Sequence, residues 1–334
     1  MQLFTKDTAE QLFEEFRLKR VMVIGDVMVD AYLWGNVDRI SPEAPVPVVA
    51  VTRRSSCLGG AANVALNLKA LGAETLLCSV VGNDHKGDEL IQLLHDEHMD
   101  SSGILKSDHR ITTTKFRIFG NRTQMLRVDE ETTLPLEPVD TTAFISMLRQ
   151  RIESSPWDVI IFQDYDKGLI TQTLISEICS LAAARGIPVA VDPKRRHFTD
   201  YRGVALFKPN LKEFFEGVNH EPVAADTAEF QMAVDQFQEN QQIEIVLITL
   251  SSEGVFVSWK GHGTILPAHV RDVSDVSGAG DTVISVAALG LACGLTPVQL
   301  SALGNLAGGL VCEEVGVVPV NREKLLRETL RQLT

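Results

Sequence analysis

The stretch Asp275-Val276-Ser277-Gly278-Ala279-Gly280-Asp281-Thr282 sets two glycines and a carboxylate at the mouth of an apolar helical run, Val283 to Leu295. Backbone N–H groups at a helix start are unpaired, and the helix dipole favours negative charge there. Glycines let an anion approach the backbone closely. Gly278, Ala279 and Gly280 therefore form a candidate anion hole. A carboxylate beside an anion site is electrostatically awkward unless it has a task. The evident task for Asp281 is to take a proton from a hydroxyl that attacks a phosphate. An N-cap with a Gly-rich turn would read the same way in isolation, so the rest of the chain must decide.

Working outward, short apolar runs alternate with amphipathic helical stretches. Val21-Met22-Val23-Ile24 ends at Gly25-Asp26, Leu76 to Val81 ends at Gly82, and Val159-Ile160-Ile161-Phe162 ends at Gln163-Asp164. Val189-Ala190-Val191 ends at Asp192, and Ile245 to Thr249 runs into Leu250-Ser251. Continuous apolar strands with helices between them predict an α/β fold with a mostly parallel sheet covered on both faces. Ligands in such sheets sit beyond the C-terminal strand ends. Asp26, Asp164, Asp192 and Thr249 would then share one rim, or each would cap a helix.

Two segments break the pattern. Residues 33–55 carry Pro42, Pro45 and Pro47 and then Val48-Val49-Ala50-Val51; residues 110–129 alternate apolar and polar side chains around Gly120-Asn121, as a β-hairpin does. These inserts predict a small β-sheet lid over the rim, which would keep water from a phosphoryl donor. A lid edge is also a natural surface for a homodimer. With no long linker and no repeat, residues 1–334 read as one domain plus its lid.

The 334 residues are 45% hydrophobic and carry a formal net charge of −13, which disfavours nucleic acid and anionic membrane as partners. The five cysteines are scattered without a C-x-x-C pair and read as buried thiols. The N-terminus is not a signal peptide, and no apolar run reaches spanning length, so the expectation is a cytoplasmic protein.

Further candidates lie along the rim. Gly59-Gly60-Ala61-Ala62-Asn63 precedes a helical stretch ending at Gly72: the glycines expose N–H groups, and Asn63 could hold sugar hydroxyls. Asn210 and Glu213 fall at i, i+3, where Glu213 could serve a magnesium–phosphate complex directly or through water. A capping box has the same spacing. Lys194, Arg195 and Arg196 follow Asp192-Pro193 and could grip a phosphate, or be a solvated loop. There is no G-x-x-x-x-G-K-[ST], which excludes a P-loop, and Val283 stands where a dinucleotide fingerprint wants its third glycine.

Taken together, Gly59-Gly60-x-x-Asn63 through Gly82, and Asp275 to Thr282, resemble the two signatures of the ribokinase-like (PfkB) carbohydrate kinase family, in the same order along the chain. The resemblance implies a ribokinase-like fold, ATP and Mg²⁺ as cofactors, a monovalent cation as a further candidate, and Asp281 as catalytic base. It also implies that Asn210 and Glu213 match the family's N-x-x-E motif, and that Thr249, Ser251, Glu253 and Gly254 fall where the nucleotide is held.

A narrower resemblance is to bacterial D-glycero-β-D-manno-heptose 7-phosphate kinases. It is carried by Ile24 to Asp30, Arg39 to Val48, Thr114-Lys115-x-Arg117, Asp164-Tyr165-x-Lys167-Gly168 and Asp192-Pro193-Lys194. It implies phosphorylation at C1 of a sugar phosphate, in the route to ADP-heptose and lipopolysaccharide core. Asp30, Gly59, Gly60, Asn63, Asp164, Lys167, Lys194 and Arg196 would bind the sugar phosphate. Asp166 departs from the small residue usual in that motif and would repel a phosphate; Arg195, in place of a usual glycine, would offset it. Related bifunctional proteins carry a nucleotidyltransferase domain, which is not expected within this chain. The alternatives are a kinase for another sugar on the same fold, and a non-catalytic sugar or nucleotide sensor.

Overall fold

The computed structural model describes residues 2–269 and 271–334. Among them, nine strands form the main sheet. Seven of these are parallel: β1 (Arg20–Gly25), β4 (Glu74–Gly82), β5 (Ile104–Ser107), β8 (Val159–Gln163), β9 (Val189–Asp192), β10 (Leu206–Phe207) and β11 (Ile245–Thr249). Two antiparallel strands, β12 (Val255–Trp259) and β13 (His262–Leu266), extend one edge, giving the order β13-β12-β11-β10-β9-β8-β1-β4-β5.

The central strands are apolar on both faces because helices cover both. In β1, Val21 and Val23 belong to one core and Met22 and Ile24 to the other, all four without exposed surface. The first core is closed by α1 (Lys6–Phe16), α2 (Ala61–Ala70), α8 (Ala279–Ala292), α9 (Pro297–Val311) and α10 (Arg322–Gln332). The second is closed by α4 (Pro138–Ser154), α5 (Gln172–Ala184), α6 (Leu211–Val218) and α7 (Ala228–Gln241), with α3 (His85–Asp96) packed beside β4. Helix α8 is buried from Asp281 to Gly290, so its start is pinned against the sheet. No helix among the described residues is long and apolar enough to cross a membrane.

A separate four-stranded sheet has the order β3-β2-β6-β7: β2 (Val27–Ile40), β3 (Pro47–Gly60), β6 (Thr114–Gly120) and β7 (Thr123–Glu130). Its first hairpin is wider than the expected 33–55, because β2 leaves the body directly after Asp26 and β3 returns only at Gly60. The second hairpin turns at Asn121 and Arg122, both left-handed (φ 51 and 70), one residue beyond the expected Gly120-Asn121. The sequence patterns over β5, β10, β12 and β13 are short or amphipathic and do not distinguish these strands from loops. Of the cysteines only Cys78 is fully buried; Cys57, Cys179, Cys293 and Cys312 are half-buried, so the expectation of buried thiols holds for one.

Candidate active site

Asp281 lies in the first turn of α8, and Gly278 is the N-cap at φ 80, with no side chain to bond the helix amides. The Ala279 N–H makes a long 3.3 Å bond to the Val276 carbonyl, while the amides of Gly278 and Gly280 take no backbone partner outside regular structure among the described residues. The Asp281 carboxylate is 5% exposed and held from three directions. Asn63 Nδ2 donates to Oδ2 at 2.7 Å; the Tyr165 hydroxyl and Gln163 Nε2 donate to Oδ1 at 2.6 and 3.3 Å. Burial pushes this carboxyl up to about 6, against the lowering effect of the Tyr165 and Asn63 hydrogen bonds.

The C-terminal ends of β8, β9 and β10 build the floor. Gln163 Nε2 also donates to Asp192 Oδ2 at 3.1 Å, and Lys208 Nζ pairs with the same oxygen at 3.0 Å. Lys208 is only 3% exposed, which a lysine tolerates when its charge is matched. A Cβ placed on Gly280 would stand 3.6 Å from Lys208 Nζ, so the ammonium lies against the glycine turn. Sequence reasoning does not single out Lys208, Gln163 or Tyr165, although Tyr165 sits inside the Asp164-Tyr165-x-Lys167-Gly168 motif. A lysine following an apolar strand and preceding Pro209 was the available signal for Lys208.

The Gly59-Gly60 turn is shaped by close backbone approach. Side chains at Gly59 and Gly60 would collide with the Asp30 carboxylate and the Asp26 carbonyl, respectively, and Gly60 is left-handed at φ 63. Asn63 is fully buried and its amide is committed to Asp281 and Asn67, so it orients the carboxylate rather than facing sugar hydroxyls. Asp30, 4% exposed, accepts from Arg117 Nη1 of the lid at 2.5 Å. Asp26 accepts the backbone N–H groups of Tyr165, Lys167 and Leu169 at 3.0–3.2 Å and so fixes that loop. Asp164 does not reach the rim surface. It is fully buried, closes the turn by accepting from Asp166 N at 2.7 Å, and is pushed up to about 8 by burial and the neighbouring Asp26.

Around the rim, Lys167 bonds Glu131 at 2.7 Å and Lys194 pairs with Glu213 while standing 5.6 Å over the Tyr165 ring. Asp166 is matched by Arg196, whose Nε lies 3.0 Å from its Oδ1, rather than by the expected Arg195. Asn210 and Glu213 do form a capping box on α6: Asn210 Oδ1 accepts from Glu213 N at 2.8 Å and Glu213 Oε2 accepts from Asn210 N at 2.9 Å. Asn210, Thr249 and Ser251 line a groove of about 940 Å³ with Arg195 and Phe215; Glu253 and Gly254 form the turn beside it.

This donor set fits a nucleotide polyphosphate: amides at a glycine-capped helix start, with a buried lysine beneath. It fits Mg²⁺ as a cation held chiefly by phosphates and water, with Glu213 nearby. Among the described residues no group of three or more acidic, histidine or cysteine side chains could hold a metal alone.

Residues 18–324 match the profile of the pfkB family carbohydrate kinases. The chain is 38% identical over 322 residues to Bifunctional protein HldE of Citrifermentans bemidjiense, covering 96% of this chain and 65% of that protein. It is 39% identical to the Methylobacillus flagellatus protein of the same name, covering 93% and 63%. The chain thus spans a little under two thirds of the length of these relatives. Among solved structures it superposes on Escherichia coli phosphofructokinase-2 in complex with fructose-6-phosphate (TM-score 0.74, 17% identity, 94% of this chain and 99% of that one). It also superposes on Arabidopsis thaliana ribokinase complexed with ribose and ATP (TM-score 0.70, 16% identity, 92% and 99%). On the family profile and the shared fold, this chain belongs to the pfkB family of carbohydrate kinases.

Proposed function

We propose that this chain transfers the γ-phosphoryl group of ATP to the C1 hydroxyl of D-glycero-D-manno-heptose 7-phosphate, giving the 1,7-bisphosphate used for ADP-heptose and lipopolysaccharide core. The observation that carries the reading is the carboxylate of Asp281, bonded to Asn63 and set at the open start of α8 over Lys208. Asp281 accepts the hydroxyl proton as the oxygen attacks phosphorus. The amides of Gly278 and Gly280, with the Lys208 ammonium, lie where negative charge on the transferring group can be stabilised. Mg²⁺ supplies charge neutralisation of the phosphates when the nucleotide binds. The choice of sugar is supported by the HldE relatives and by the cations Lys167, Lys194 and Arg196 at the rim, and Asp30 and the Gly59-Gly60 turn, which lie against each other, are proposed to contact the sugar. Asn210, Thr249 and Ser251 are proposed to hold the nucleotide.

The reading extends to organisation. Residues 1–334 act as one kinase domain with its lid, in the cytoplasm. Ile40, Val46, Val51, Leu126 and Val128 leave apolar surface exposed on the lid strands and the turn joining two of them, which supports a homodimer formed through that sheet. The test is ADP release measured with heptose 7-phosphate beside ribose, fructose 6-phosphate and sedoheptulose 7-phosphate. Turnover restricted to the heptose phosphate is expected; a preference for a neutral sugar would overturn the substrate, and no sugar-dependent ADP would overturn the kinase reading.

A further inference from the structure

The two oxygens of Asp281 are not equivalent. Oδ1 accepts from the Tyr165 hydroxyl and from Gln163 Nε2, and Gln163 is itself tied to Asp192. Among the described residues, Oδ2 accepts only from Asn63. A carboxylate offers about four acceptor positions, two on each oxygen. Oδ1 is therefore filled, and the remaining position is on Oδ2. Both donors to Oδ1 come from one rigid element, the end of β8 and the residue pair after it, whose loop is fixed by three backbone bonds to Asp26.

We propose that Tyr165 is a positioning residue that fills Oδ1 of Asp281 and thereby makes Oδ2 the oxygen that takes the proton of the phosphoryl acceptor. This rests on the reading of Asp281 as the base. In the step, the acceptor O–H bond breaks and its proton goes to Oδ2. The electron pair left on the acceptor oxygen forms the bond to the γ-phosphorus, and the bond from that phosphorus to the bridging oxygen breaks, its pair leaving on ADP.

Tyr165 is suited to stay a donor throughout. Burial and the adjacent Asp281 hold its phenol well above the usual range, so it does not ionise in competition with the carboxyl. The other charged groups facing Asp281 are Asp192 at the end of β9 and Lys208 after β10, of opposite sign, and α2 contributes only the neutral Asn63. Hydrogen bonds from Tyr165 and Asn63 thus oppose the burial that raises this carboxyl. Loss of the phenol hydroxyl should raise it further.

The test compares the wild-type chain with Tyr165→Phe, which keeps the ring beneath Lys194. Turnover is expected to fall about 10-fold or more, and the acid limb of the kcat profile to move up by about one pH unit, with KM for ATP unchanged. Site-specific Tyr165→3,5-difluorotyrosine, a stronger donor, should move the same limb down. The ¹³C carboxyl resonance of Asp281, titrated without substrates, should shift in the same directions. That readout separates this inference from the kinase reading: absence of turnover in the wild type would sink the latter, while an unshifted Asp281 titration would sink the former. A raised KM for sugar at constant kcat and constant pH profile would also overturn it, since that pattern belongs to a substrate contact.

Discussion

Asn63 Nδ2 donates to Asp281 Oδ2 at 2.7 Å across a sequence separation of 218 residues, joining the start of α2 to the start of α8. The contact is buried, and among the described residues the amide donates to no other carboxylate. An isosteric Asn63→Asp change would set two carboxyls against each other in a dry site. One of them must then hold a proton at neutral pH. Turnover at pH 7 should fall by at least about 10-fold, and the acid limb of the rate profile should move upward. A pH–rate series on the variant checks this; an unmoved limb would show that Asn63 does not govern the base.

Asp164 gives a stability prediction with a defined sign. Its carboxyl is raised by burial, then by Asp26, to about 8, above its ordinary value of 3.8. The folded state therefore binds the proton more tightly than the unfolded chain, and this group's contribution to stability is lost as pH rises from about 4 to about 8. Asp164→Asn, which cannot ionise, should flatten that part of the profile and raise Tm at pH 8 relative to the wild type. Melting curves between pH 5 and 8.5 provide the comparison; parallel curves for the two proteins would contradict the assignment.

Lys208 neutralises Asp192 in the interior at 3.0 Å. Lys208→Met would strand that carboxylate next to Gln163 and Asp281. Removing one partner of a buried pair costs about 3–5 kcal/mol. Chemical denaturation should show a loss of that order, together with a turnover defect that raising the ATP concentration does not rescue. A fully stable, fully active variant would remove Lys208 from the proposed site.

At the rim, Lys194 is half-buried and Arg196 exposed, and the two cations are already balanced by Glu213 and Asp166. Replacing both with Met should raise KM for heptose 7-phosphate by about 10-fold or more while leaving KM for ATP within about 2-fold, because charge-assisted contacts are the strong ones. Steady-state kinetics with each substrate varied in turn is the check. Equal rises in both constants would place these residues elsewhere in the cycle.

How far these features could be read in the sequence depends on how local they are. The run Val21 to Ile24 announces a buried parallel strand because helices cover both of its faces, and the glycines before Asp281 announce an anion-ready helix start. Both are properties of adjacent residues. Asn210 and Glu213 could not be resolved, since a capping box and a phosphate-site motif share one spacing, and here the capping box is formed. The contributions of Gln163, Tyr165 and Lys208 arise only when the ends of β8, β9 and β10 are brought level beneath α8. No pattern within a short window encodes that alignment. The sequence marks Asn63 but not its role, because its partner Asp281 lies far along the chain.

The lid was legible as alternation and prolines, and its extent was not. Strands β2 and β3 continue past the alternating segment into the body, ending at the buried Gly59-Gly60 turn. The apolar, non-alternating start of β2, Val27-Met28-Val29, looks in sequence like part of the core, and it is buried like the core.

The most direct test of the central claim is turnover of heptose 7-phosphate by Asp281→Asn, measured as sugar-dependent ADP release at pH 7.5 beside nucleotide binding by the same protein. A loss of about two to four decades in kcat with the fold and ATP affinity retained is the predicted result. Near-normal turnover in a folded variant would contradict it.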